Sequence, residues 1–67
     1  SMEWRTVIEQ FIALPVTVRT TKTHRRYQIH ANNRHPERMR QLANAIAEIN
    51  SRDIVQGERR LTFELLE

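Results

Sequence analysis

The sequence predicts a small two-layer α+β domain of element order α-β-β-α-β, a three-stranded, mostly antiparallel sheet with two helices packed on one face. Three observations predict it. Apolar residues recur at helical spacing near the N-terminus, switch to strict alternation from Val16, and repeat the same change of period after Pro36. With 67 residues, 39% of them hydrophobic and 28% charged, the chain has room for one core, and residues 2–67 are read as a single small basic domain. Ser1 reads as a scar of tag cleavage and Met2 as the natural start of a complete 66-residue chain.

Trp4, Val7, Ile8, Phe11, Ile12 and Leu14 fall on the i, i+3, i+4, i+7 template of an amphipathic helix over about 3–14. Glu3 sits in its first turn, where the helix dipole favours an anion, and Pro15 ends it. Val16 and Val18 then alternate with Thr17 and Arg19, and Tyr27, Ile29 and Ala31 with Arg26, Gln28 and His30. These runs predict a hairpin with strands near 16–21 and 26–31. The polar stretch between them has no glycine and no Asn-Gly pair, so a longer, mobile loop is expected.

Asn32 to His35 is a turn cluster, and Pro36 followed by Glu37 suits a helix start. Met39, Leu42, Ala43, Ile46 and Ile49 form the apolar stripe of a second helix over about 36–51. A connection through Gly57 leads to a third strand over about 60–66, where Leu61, Phe63 and Leu65 alternate with Thr62, Glu64 and Leu66. A crossover through the second helix would set this strand beside the first, in sheet order 3-1-2. The few apolar side chains and an exposed terminal strand carrying Leu66 favour a homodimer over a monomer.

The net charge of +3 conceals an uneven distribution. Residues 15–40 hold Arg19, Lys22, Arg25, Arg26, Arg34, Arg38 and Arg40 against Glu37 alone, and all three histidines lie in the same stretch. The flanking segments are slightly acidic. Arginine outnumbers lysine there, and its planar fork suits phosphate or carboxylate. Such asymmetry is the footprint of a polyanion-binding face.

On the outward side of the hairpin, Arg19, Arg26, Gln28 and His30 are expected to face solvent with Thr17 and Thr21. Arginine there suits guanine and Gln28 suits adenine, while Lys22, His24 and Arg25 would reach phosphates from the loop. Arg34, His35, Arg38 and Arg40 form a second cluster at the start of the second helix, where free amides also attract anions. The expected interface therefore comprises Arg19, Lys22, Arg25, Arg26, Gln28, His30, Arg34 and Arg38, and the expected function is a non-enzymatic module binding DNA or RNA.

The alternative is a small regulator or inhibitor, of the kind phages and mobile elements encode. It would dock on an acidic or nucleic-acid-binding surface of a larger protein and extend that partner's sheet with its own exposed strand.

Other chemistries find less support. There is no cysteine, so disulfides and thiolate metal sites are excluded and the cytoplasm is the expected compartment. His24, His30 and His35 stand among cations that oppose a divalent metal, so no metal and no other cofactor is expected. No glycine-rich phosphate loop, Gly-x-Ser-x-Gly or cysteine nucleophile occurs, and a small nuclease would have to work with His30, Arg26 and Glu64. Trp4, Tyr27 and Phe63 sit at apolar-face positions, which argues against base stacking. The glycine loop of KH domains and the aromatic motifs of RRM domains are both missing. No stretch is long and apolar enough for a membrane-spanning helix.

Overall fold

Period and capping define the elements. In the computed structural model, which describes residues 4–32 and 35–66 apart from the side chains of Val7 and Phe11, the order is α1 (Trp4–Ile12), β1 (Val16–Thr20), β2 (His24–His30), α2 (Pro36–Ser51), β3 (Val55–Gln56) and β4 (Arg59–Leu66). Glu3, Asn33, Arg34 and the Val7 and Phe11 side chains, all named above, lie outside the described residues. None of the described helices is long and apolar enough to cross a membrane.

The α+β class and the two expected helices are present, but the sheet is four-stranded and mixed, in order β1-β2-β4-β3. β2 pairs antiparallel with β1 and parallel with β4, and β3 pairs antiparallel with the start of β4. The extra strand comes from a two-residue turn whose central residues, Gly57 and Glu58, have φ of 59° and 63° between the paired Gln56 and Arg59. That is the left-handed pair that matches the twist of a hairpin.

The expected order 3-1-2 is overturned, since the terminal strand lies beside the second strand rather than the first. Burial explains the choice. Tyr27 and Ile29 of β2 are each 1% exposed, so β2 needs neighbours on both edges, whereas β1 ends in exposed Arg19 and Thr20. With 16 residues, α2 is about 24 Å long, enough to return the chain along the whole sheet and set β4 parallel to β2.

One face of the sheet carries the core. Val16, Tyr27, Ile29, Leu61 and Phe63 pack with Ile8 and Leu14 from the α1 segment and with Leu42 and Ile46 from α2. The Tyr27 ring stacks on Phe63 with centroids 5.0 Å apart, and Trp4 meets Phe63 edge-on at 5.4 Å, so Trp4, Tyr27 and Phe63 belong to the core side. Of the expected α2 stripe, Ala43 is exposed, while Met39 and Ile49 are half-buried at its margins.

The hairpin between β1 and β2 is tight rather than long. The Thr21 N–H donates to His24 O at 2.8 Å, and the His24 N–H donates to the Thr21 hydroxyl at 3.0 Å, leaving Lys22 and Thr23 as the loop. A threonine side chain here does the work a glycine turn does elsewhere, by satisfying the backbone donor that the turn exposes. Arg59 Nε donates to Thr21 O at 2.8 Å and the Arg60 N–H to Thr23 O at 2.9 Å, so the loop is tied to β4.

The first helix stops short of Pro15. It ends at Ile12, and Ala13 takes φ 59° while its N–H donates to Glu9 O at 3.1 Å. This is a left-handed helix cap made by a residue with a Cβ, which is disfavoured by about 1–2 kcal/mol relative to glycine. Ala13→Gly is therefore expected to raise the unfolding free energy by about 1 kcal/mol, seen as a higher urea midpoint at an unchanged slope.

Candidate functional site

Strand alternation sends His24, Arg26, Gln28 and His30 of β2 to the face away from the helices. The strand registers set Arg19 of β1 and Thr62 of β4 beside Arg26, Thr17 and Glu64 beside Gln28, and Arg60 beside His24. This outer face has two different halves.

The half farther from the hairpin loop is closed on itself. Arg19 Nε donates to Gln28 Oε1 at 2.9 Å, and Gln28 Nε2 donates to Glu64 Oε1 at 2.6 Å. Thr17 Oγ1 and His30 Nε2 share a hydrogen bond of 2.7 Å. Both ends of the Gln28 amide are thus engaged within the protein. Glu64 is held by Gln28 and His30 by Thr17, and no hydrogen bond or ion pair joins His30, Arg26 and Glu64 to one another.

The half nearer the hairpin loop is cationic and open. Arg19, Thr21, His24 and Arg26 line a shallow depression of about 300 Å³. Arg19 and Arg26 are exposed and stand directly opposite across β1 and β2. Like charges in that relation are destabilising by a few tenths to about 1 kcal/mol. Among the described residues the ion pairs are Arg5–Glu9, Arg52–Glu48 and Arg60–Asp53, and neither Arg19 nor Arg26 takes part in one. Lys22 is exposed at the loop tip beside them.

The remaining expected residues lie elsewhere. Arg25 belongs to β2 rather than to the loop, and its parity puts it on the helix side with Tyr27 and Ile29. It is half-buried, and its Nε is buried without a hydrogen-bond partner among the described residues. Arg38 lines a different depression, of about 260 Å³, with Ile12, Ala13, Leu14 and Leu42 in the helix layer. His35 caps α2, its Nδ1 accepting from the Glu37 N–H at 3.3 Å.

Hence the hairpin and the start of α2, read together above as one interface, are separate. They sit at opposite ends of β2, about 20 Å apart along a seven-residue strand. Two residues not singled out from the sequence, Arg59 and Arg60, do reach the hairpin end. The alternation of 60–66 already implies that Arg60 shares a face with Thr62 and Glu64, but not which strand that face adjoins.

Among the described residues no group of three or more His, Asp or Glu side chains is placed to hold a metal ion. Comparison with protein-family models, curated proteins and solved structures finds no match for the chain.

The opposed arginines make a thermodynamic signature. Arg26→Glu replaces a repulsion with an attraction to Arg19 and is expected to stabilise the fold by about 0.5–1 kcal/mol in low salt. The gain should largely vanish at 1 M salt, where the screening length falls to about 3 Å. Urea midpoints at both salt concentrations check it.

Proposed function

We propose that the chain is a non-enzymatic module that binds DNA or RNA through the hairpin-loop end of its outer sheet face. Arg19 and Arg26 form the centre of the interface, with Lys22, His24 and Arg60 around them. The observation that carries the reading is the pair of exposed guanidiniums held opposite each other with no carboxylate partner among the described residues. A polyanion relieves that repulsion on binding, so the free-energy cost in the free protein becomes a gain in the complex.

A second reading, a regulator that docks on another protein, has its own support in the bare edge of β1. Pro15 O accepts from the His30 N–H, and the Thr21 N–H donates to His24 O, so the odd-numbered residues of β1 face β2. The N–H and C=O groups of Val16, Val18 and Thr20 therefore turn to the open side. This edge is open along the whole of β1, whereas the edge of β4 away from β2 is paired with β3 only at Arg59 and Arg60 and is met by the Asn50 side chain at Phe63, which leaves its end near Leu66 without a neighbouring strand.

Fluorescence anisotropy of labelled duplex DNA, single-stranded DNA and RNA separates the readings. Micromolar binding is expected to fall roughly 40-fold between about 50 and 200 mM salt, as for about three neutralised phosphates. Arg19→Gln and Arg26→Gln should each weaken it several-fold, and Arg38→Gln should leave it within twofold. Absence of binding to all three at the lower salt sinks the nucleic-acid reading. Val18→Pro, which removes an N–H turned to solvent, should leave nucleic-acid binding intact while abolishing any strand-adding protein partner.

A further inference from the structure

Granting that nucleic-acid reading, we infer that the face grips the phosphodiester backbone of a duplex without reading its sequence, and that Gln28 and Glu64 are positioning residues for Arg19 rather than contacts to a base.

A glutamine that reads adenine must offer its carbonyl oxygen and its amide nitrogen together. In this protein the oxygen already accepts from Arg19 Nε and the nitrogen already donates to the Glu64 carboxylate. Both bonds are charge-assisted. Opening them to reach a base would forfeit about as much as a bidentate base contact returns. Glutamine at this position thus works inward, as a bridge between a cation and an anion that stand on strands on either side of it.

The bridge has a consequence for Arg19. With Nε held by Gln28, the free edge of its guanidinium is the one bearing the two terminal nitrogens, which is a fork suited to two oxygens of one phosphate. The Arg26 side chain, opposite, makes no hydrogen bond or ion pair among the described residues, and the depression between the two is large enough for a tetrahedral anion. Glu64 repels phosphate from the middle of the sheet, so the anion is confined to the loop end.

Among the described residues no Trp, Tyr or Phe side chain that could stack on unpaired bases stands on this face. Trp4, Tyr27 and Phe63 are packed together on the core side. With no Trp, Tyr or Phe platform among the described residues and the Gln28 amide engaged within the protein, the surface offers chiefly charge and shape, which favours the regular backbone of a duplex over a flexible single strand.

The test uses two duplexes of equal length, one of A·T pairs only and one of G·C pairs only, with a single strand of mixed sequence as a third probe. The full chain should bind both duplexes within threefold of each other and the single strand more weakly. Gln28→Ala should weaken both duplexes equally, by about threefold, and should have no further effect once Arg19 is alanine, because it acts through that side chain. Glu64→Gln keeps an acceptor for Gln28 and removes a negative charge, so binding to both should tighten.

A base-reading role predicts otherwise. Selective loss of A·T binding in Gln28→Ala, an additive effect in the double variant, or selective loss of G·C binding in Glu64→Gln would each overturn this inference while leaving nucleic-acid binding itself standing. Tighter binding to the single strand than to either duplex would overturn it as well. No binding to any probe would instead remove the reading on which it rests.

Discussion

Tyr27 and Phe63 face each other across the parallel pair of β2 and β4, their rings stacked 5.0 Å apart with 14° between their planes, and much of the fold depends on that contact. Parallel neighbours cannot be joined by a tight turn, so the chain between them must return the length of the sheet, and α2 is that return. The helix then covers the strand it delivers, with Leu42 and Ile46 in the same core as Phe63. β2 becomes an interior strand, and β1 is left at the margin. The small core tolerates this because its largest side chains converge. Trp4 closes on the edge of Phe63 from the first helix, so three separate elements meet at one ring.

The same pairing separates the charges. Because β2 runs from the hairpin loop towards α2, residues close in sequence on either side of it are carried to opposite ends of the molecule. Among the described residues, the cations from Arg19 to Arg40 therefore do not share one surface. Arg19, Lys22 and Arg26 face outward at the loop end. Arg38 belongs to the helix layer. A sheet face that has a cationic end and a middle held by Gln28 and Glu64 directs an anion to one place instead of offering it the whole surface.

The two margins of the sheet are treated differently. Along β4, the residues that turn away from β2 are largely satisfied. The Leu61 N–H donates to Ile54 O, and the Phe63 N–H and C=O are both taken by the side-chain amide of Asn50, at 2.9 and 2.7 Å. An amide side chain carries the same donor and acceptor as a peptide group, so Asn50 imitates one residue of a neighbouring strand. β1 has no such cover among the described residues, and a five-residue strand rich in valine and threonine stands open. Its shortness limits what can pair with it, and Arg19 projects from its outer face.

What the sequence determined by itself was the character of each element and the faces within it. The alternation read over about 16–21, 26–31 and 60–66 assigns Arg19, Arg26, Gln28 and His30 to one side of the sheet, and the apolar stripe with Pro36 assigns α2 to 36–51, as found; the strands themselves run Val16–Thr20, His24–His30 and Arg59–Leu66. These are properties of neighbours along the chain, where side-chain period and backbone preference act within a few residues. The short hairpin was hidden because Thr21 closes it with a hydroxyl rather than a glycine, and β3 because a single Gly57 carries little signal. Tertiary structure alone decided the sheet order, the inward turn of Arg25, the separation of Arg38 from Arg19, and the bridge from Arg19 through Gln28 to Glu64. Its bond from Gln28 to Glu64 joins residues 36 positions apart. Such contacts exist only because burying Tyr27 against Phe63 selects one strand neighbour from several that local pattern allows, and that selection is made by the whole core at once.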